Sequence, residues 1–323
     1  TILNFLHPLL DTSTYRQLLL ISQTLLAMSG RITMLGISRW AGKGGSYRTI
    51  QRFFTKDILW DSLHWAVAKI FLAKSTGAIL IAGDATTVTK SGKETFGLGK
   101  FFSSIYSRAV PGIAFQVLSL IDVEKRKSWP MLIEQILPKP KPKKSSAKKK
   151  KKKRGKGRPK GSKNKNHRNV ELNAEMLQVQ GMLKKLLKLI GDTIQPIFLV
   201  YDGAFGNNAA IQMTLQVGLH LISKLRSDSA LYFKWDGVYS GKGRTPVYGD
   251  KVDYSNLPAI YLESEKTEKN IRTRIYQLNV LHKKIAGPLN VVIISKKNLK
   301  TGKVAHVILF STDLELEWEK IID

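Results

Sequence analysis

The chain has 323 residues, 43% hydrophobic and 9% aromatic, enough for two or three modules around a sizeable core. It has no cysteine, which excludes a disulfide scaffold, thiolate metal centres and cysteine nucleophiles. Lys and Arg number 53 against 24 Asp and Glu, and a net charge of +29 calls for a polyanionic partner, nucleic acid ahead of a membrane surface.

Residues 1–75 read as helical. Leu18, Leu19, Ile21, Leu25 and Leu26 recur at helical spacing, and Gly30 follows at a stopping position. A helix, a glycine turn ending at Gly45 and a second helix over 46–54 come next, with Ser46 as N-cap. In that second helix Tyr47, Ile50 and Phe54 share one face, while Arg48 and Arg52 share another. A helix-turn-helix presents basic groups to DNA in this way; a small bundle with solvated arginines is the alternative. Residues 78–84 form a short apolar strand ending in Asp84, and 113–123 form another buried strand. Residues 138–169, rich in Pro, Lys, Gly and Ser, cannot bury a core and are expected to be a disordered basic insertion. Leu172, Met176, Leu183, Leu187 and Ile190 predict a helix over 171–190 with Gly191 at its C-cap. A second apolar strand, 197–202, ends in Asp202, and a helix over 207–217 and a strand over 219–224 follow. Strand-like segments at 231–235, 259–262, 275–280, 290–294 and 304–310 predict an antiparallel subdomain. Residues 313–323 begin one more helix.

No apolar run approaches the roughly 18–20 residues that span a bilayer, and no basic leader precedes an apolar stretch, so a cytoplasmic, nucleoid-associated protein is expected.

Asp84 and Asp202 are the sharpest pair. Each follows an apolar strand and precedes small residues. Ligands of mixed α/β sheets bind at the carboxyl ends of strands. Two such strands side by side would bring both carboxylates to one rim. Hard divalent cations, Mg²⁺ or Mn²⁺, take oxygen ligands of this kind. Two such ions can activate water and stabilise the leaving oxygen of a phosphodiester. The plain alternative is that each Asp caps a turn.

Residues 79–87 around the first acid, 198–205 around the second, 221–228 after it and 310–316 near the end together resemble a DDE transposase of bacterial insertion sequences. The resemblance implies an RNase H-like core with a β-rich insertion before the last catalytic helix. It implies metal-dependent nicking of double-stranded DNA at element ends, strand transfer by the freed 3′-OH, and pairing of ends by a homodimer. It also implies a third acid, a Glu within Tyr-x-x-Arg-x-x-x-Glu, and no such pattern occurs. Glu315, Glu317 and Glu319 do not fit it and read as first-turn acids. Impaired catalysis is therefore expected, with a non-catalytic DNA-binding remnant as the alternative.

Residues 139–168 hold 17 Lys or Arg and no acid, and the remaining chain still carries +12. Within this run Arg154, Lys156, Arg158 and Lys160 surround Gly157 and Pro159 in a pattern resembling an AT-hook, which lies in a narrow minor groove. A polycation touching phosphates without reading sequence is the alternative. Lys224 and Arg226, after a core strand, are candidate phosphate contacts. The six histidines have no zinc-ligand spacing; His220 and His306 read as packed residues.

The sequence thus predicts an α/β protein: a helical DNA-binding region over 1–75, an RNase H-like core over 76–230 carrying the basic insertion, a β-rich subdomain over 231–310, and the start of the final helix over 311–323.

Overall fold

The computed structural model describes residues 3–92, 94–138, 168–239, 241 and 243–323. Arg154, Lys156, Arg158 and Lys160 of the basic insertion lie outside the described residues.

Four helices come first: α1 (Thr12–Ala27), α2 (Met34–Ala41), α3 (Tyr47–Phe54) and α4 (Trp60–Leu72). Side-chain oxygens of Asp11, Thr33 and Ser46 cap the first three, accepting backbone N–H groups that the first turn leaves unpaired. These helices bury their own cluster around Ile21, Ile37, Ile50 and Phe53. The inward face of α3 is Ile50 with Phe53, whereas Tyr47 and Phe54 are exposed, in contrast to the expected stripe. A three-residue step keeps Phe53 beside Ile50, and packing against α1 and α2 selects that edge over the other.

Next in chain order stand β1 (Ile79–Thr89), β2 (Gly99–Ser103), β3 (Arg108–Asp122), β4 (Lys127–Ile136), α5 (Ala174–Ile190), β5 (Phe198–Tyr201), α6 (Asn208–Gln216) and β6 (His220–Leu225). The strands β7 (Leu231–Lys234), β8 (Tyr248–Lys251), β9 (Leu262–Glu268), β10 (Ile271–His282), β11 (Pro288–Asn298) and β12 (Val304–Ser311) then lead to α7 (Trp318–Ile322).

All twelve described strands belong to one sheet in the order β2-β3-β1-β5-β6-β12-β11-β10-β7-β8, with β4 on β3 and β9 on β10. β1, β3 and β4 are antiparallel, whereas β1, β5 and β6 are parallel, joined through α5 and α6. The β-rich segment continues the same sheet, because β12 pairs with β6. Residues 259–262 are mostly a 3₁₀ turn after Pro258 rather than the expected strand. β4 escapes the apolar-run signal because Pro130 interrupts it; the register with β3 shifts opposite Pro130, where a missing N–H is tolerated.

β3 shows why the sheet has two distinct sides. Its buried and half-buried residues alternate strictly from Gly112 to Asp122. One side packs Ile81, Leu118, Leu199 and Leu221 against α5 and α6, whose buried stripe includes Val179, Met182, Leu183 and Leu186. Ile222, Val292, Leu316 and Ile321 cluster on the other side, beneath α7.

Candidate active site

β1 does not end at Asp84 as the apolar run suggests. It continues to Thr89, because its antiparallel partner β3 runs alongside for the full eleven residues. The parallel pairing with β5 does end here, at Gly83 opposite Tyr201. The next residues are Asp84, still within β1, and Asp202, just past the end of β5. The register thus sets the two aspartates at the same level on neighbouring strands, where adjacent strands lie roughly 4.8 Å apart. β5 and β6 pair through Val200 and Ile222, so Lys224 stands level with Asp202 one strand further on. Alternation turns Asp84, Asp202 and Lys224 to one side of the sheet, and all three are exposed.

The local backbone orients each carboxylate. Asp84 Oδ1 accepts the N–H of Ala85 at 2.8 Å. Asp202 Oδ1 accepts the N–H of Ala204 at 3.1 Å, capping the 3₁₀ turn Gly203–Phe205. No ion pair is recorded for either carboxylate among the described residues.

Beneath them lies a buried polar layer that the sequence reading missed. The Tyr201 hydroxyl donates to Gln116 Oε1 at 2.8 Å, and Gln116 Nε2 donates to the main-chain oxygen of Asp84 at 2.9 Å. The Ser223 hydroxyl donates to the main-chain oxygen of Asp202 at 2.7 Å. Tyr201 also stacks on Phe205 at 3.4 Å. Gly83 is required at its position, since a Cβ there would meet the Tyr201 ring at 2.3 Å. Burial pushes the Tyr201 phenol well above its ordinary pKa, and the charges of Asp202 and then Asp84 push it further. Both carboxylates therefore act on the same phenol. A signal for this layer exists in the sequence: Gln116 and Asp122 are the polar residues on the inward face of β3.

The other predicted residues separate. Arg226 follows β6 but pairs with Asp228 at 3.1 Å, so its charge is partly neutralised. Arg48 and Arg52 are exposed on α3, whose buried residues Ile50 and Phe53 belong to the helical cluster. Glu319 lies in the first turn of α7, and Glu317 at its N-cap pairs with Lys320 at 3.0 Å. His306 Nε2 donates to the Ser227 carbonyl at 2.9 Å, and His220 Nδ1 lies 3.2 Å from Thr312 Oγ1. A cleft of about 680 Å³ opens between Leu80, Val200 and Ile222 on the sheet and Ile321 and Ile322 of α7.

As donors, two open carboxylates with free oxygens fit a hard divalent cation. No cluster of three or more His, Cys, Asp or Glu able to hold a metal occurs among the described residues.

The strand order β4-β3-β1-β5-β6, antiparallel up to β1 and parallel beyond it, with helices bridging the parallel strands, defines an RNase H-like fold. Two acids follow the last residues of its β1–β5 parallel pairing. The family model of the DDE superfamily endonucleases matches residues 5–279, and the chain belongs to that family. No curated protein matches the chain. Family membership brings a transposase-type nuclease activity with DNA as substrate, and enzymes of this superfamily use divalent metals. No helix among the described residues is long and apolar enough to cross a membrane.

Proposed function

We propose that Asp84 and Asp202 hold Mg²⁺ or Mn²⁺ and that the chain nicks double-stranded DNA at insertion-sequence ends, followed by strand transfer from the 3′-OH. The observation that carries this reading is the shared register: Gly83 pairs with Tyr201, and the two acids follow side by side. A bound divalent ion would lower the pKa of an attacking water and polarise the scissile phosphate. The chain's own residues do the rest. Asp84 and Asp202 each commit Oδ1 to a neighbouring N–H, which fixes the carboxylate and leaves Oδ2 for the cation. Lys224, at the same level, offsets the phosphate's charge as DNA approaches. Gln116, Tyr201 and Ser223 hold the two main chains at fixed height. Two carboxylates supply fewer ligands than a pair of hard cations takes, so nicking by this chain alone is slow. The protein acts with DNA in the cytoplasm, and a homodimer pairs the element ends.

Relaxation of supercoiled plasmid with Mg²⁺ or Mn²⁺ tests the reading. Slow nicking that needs metal and falls at least about 100-fold in both Asp84→Asn and Asp202→Asn is expected, an effect of the size seen when a group stabilising transition-state charge is lost. Nicking that survives both substitutions would refute the assignment. The second reading is a DNA-binding remnant without catalysis. It predicts duplex binding with no metal-dependent nicking at all.

A further inference from the structure

The far side of the same sheet carries a second charged feature. β10, β11 and β12 are paired so that Arg272 lies opposite Lys297, and Arg274 lies opposite Ser295, which in turn lies opposite His306. A groove of about 410 Å³ runs over these rows, walled by Tyr254 stacked on His306 at 4.7 Å. Arg272, Arg274 and Lys297 all line it. Glu265 reaches in from β9, pairing with Arg274 at 2.6 Å and with Arg272 at 3.9 Å. One acid thus pairs with two of the three cations that line the groove. Arg272 Nε is buried and makes no hydrogen bond. A buried guanidinium N–H without an acceptor costs free energy, and an anion entering the groove would supply one. Lys297 is exposed and makes no ion pair among the described residues.

The register also fixes which side this is. Leu309 pairs with Lys224 and Ile308 with Leu225. His306 therefore shares the side of Ile308 and Leu225, opposite the side of Lys224, Asp84 and Asp202. Arg272 and Arg274, two residues apart on one strand, stand about 7 Å from each other. That spacing suits neighbouring phosphates of one nucleic-acid strand, and an aromatic wall beside a cationic track suits its sugars and bases.

We propose that this groove binds the phosphate backbone of a DNA segment distinct from the one at Asp84 and Asp202. DNA is the polyanion to which the family already commits the chain. The inference is independent of cation binding by the two aspartates, because it uses neither those residues nor their side of the sheet.

Fluorescence anisotropy of a labelled 30-base-pair duplex, titrated with full-length chain at several KCl concentrations without divalent metal, tests it. Each phosphate contact contributes about 0.9 to the slope of log affinity against log salt. The combined Arg272→Gln, Arg274→Gln, Lys297→Gln variant should lower the slope by about 2–3 and weaken binding more than tenfold at fixed salt. A control with the same charge loss elsewhere, Lys184→Gln, Lys188→Gln, Lys300→Gln, should change the slope by less than about 1. Lys297→Gln alone, at an exposed position that folding tolerates, should lower it by about 0.9. Glu265→Gln, which frees both arginines, should tighten binding several-fold. Equal losses from the two triple variants, or no response to Lys297→Gln and Glu265→Gln, would overturn the proposal. An equal groove-dependent loss on single-stranded RNA or heparin would also overturn the assignment to DNA.

Discussion

The strand pair β1 and β3 carries carboxylates at two levels, and the protein treats them in opposite ways. At one end Asp122, opposite Ile79, is fully buried. It accepts the Ser75 hydroxyl at 2.6 Å and the Lys125 N–H at 3.0 Å, with the Lys125 ammonium at 3.3 Å. At the other level Asp84, opposite Val117 and beside Asp202, is exposed and meets one N–H of its own neighbour. A carboxylate whose lone pairs are all used inside the fold stabilises the fold. A carboxylate whose lone pairs stay open, fixed by a rigid strand, is available to something from outside. The buried polar chain from Tyr201 through Gln116 braces the open pair without touching its free oxygens.

The sharpest break in this comparison is a stability measurement. Asp122→Ala leaves the Ser75 hydroxyl and the Lys125 N–H without their acceptor and should cost about 1–3 kcal/mol in urea unfolding. Asp84→Asn and Asp202→Asn keep an acceptor oxygen and should stay within about 0.5 kcal/mol of wild type. The pH dependence follows the same division. The Ser75 hydrogen bond, followed by the bonds and charge of Lys125, holds the Asp122 carboxyl below its ordinary pKa against the opposing effect of burial. Its contribution is therefore present above the ordinary carboxylate pKa and is lost as pH falls through the lowered folded value. Asp122→Asn should flatten that acid limb of the stability profile. An unchanged limb would remove Asp122 from the comparison.

A smaller effect separates the open pair. At Mg²⁺ ten times its dissociation constant, wild type should gain about 1.4 kcal/mol in thermal unfolding, and Asp84→Asn should gain none. A gain that persists in the variant would locate the ion elsewhere. The smallest effect belongs to the brace. Tyr201→Phe removes one buried hydrogen bond and should cost about 1 kcal/mol, while the Mg²⁺-induced shift weakens but survives. A full loss of that shift would make the phenol part of the ion site itself.

Much of the local structure was legible beforehand. Asn173 and Gly191 bracket α5 within a few residues of the expected helix, and Asn207 caps α6 where its sequence suggests. These signals are short-range: a side chain reaching an N–H three residues ahead, or a glycine at positive φ. The strands that hold Asp84 and Asp202 were visible as apolar runs. The length of β1 was not, since its last residues persist only through β3. β4 was hidden by Pro130, and the inward face of α3 by a choice between two overlapping stripes.

Composition and periodicity alone determined that the chain is a basic α/β protein with two acids at the exits of apolar strands. Only the tertiary structure decided that those acids stand level, and that Arg272, Arg274 and Lys297 gather on the reverse side. Register is a long-range property: residues 84 and 202 each follow the last paired residues, Gly83 and Tyr201, because β5 docks on β1 in one alignment, and a slip of a single residue would send every side chain to the opposite face.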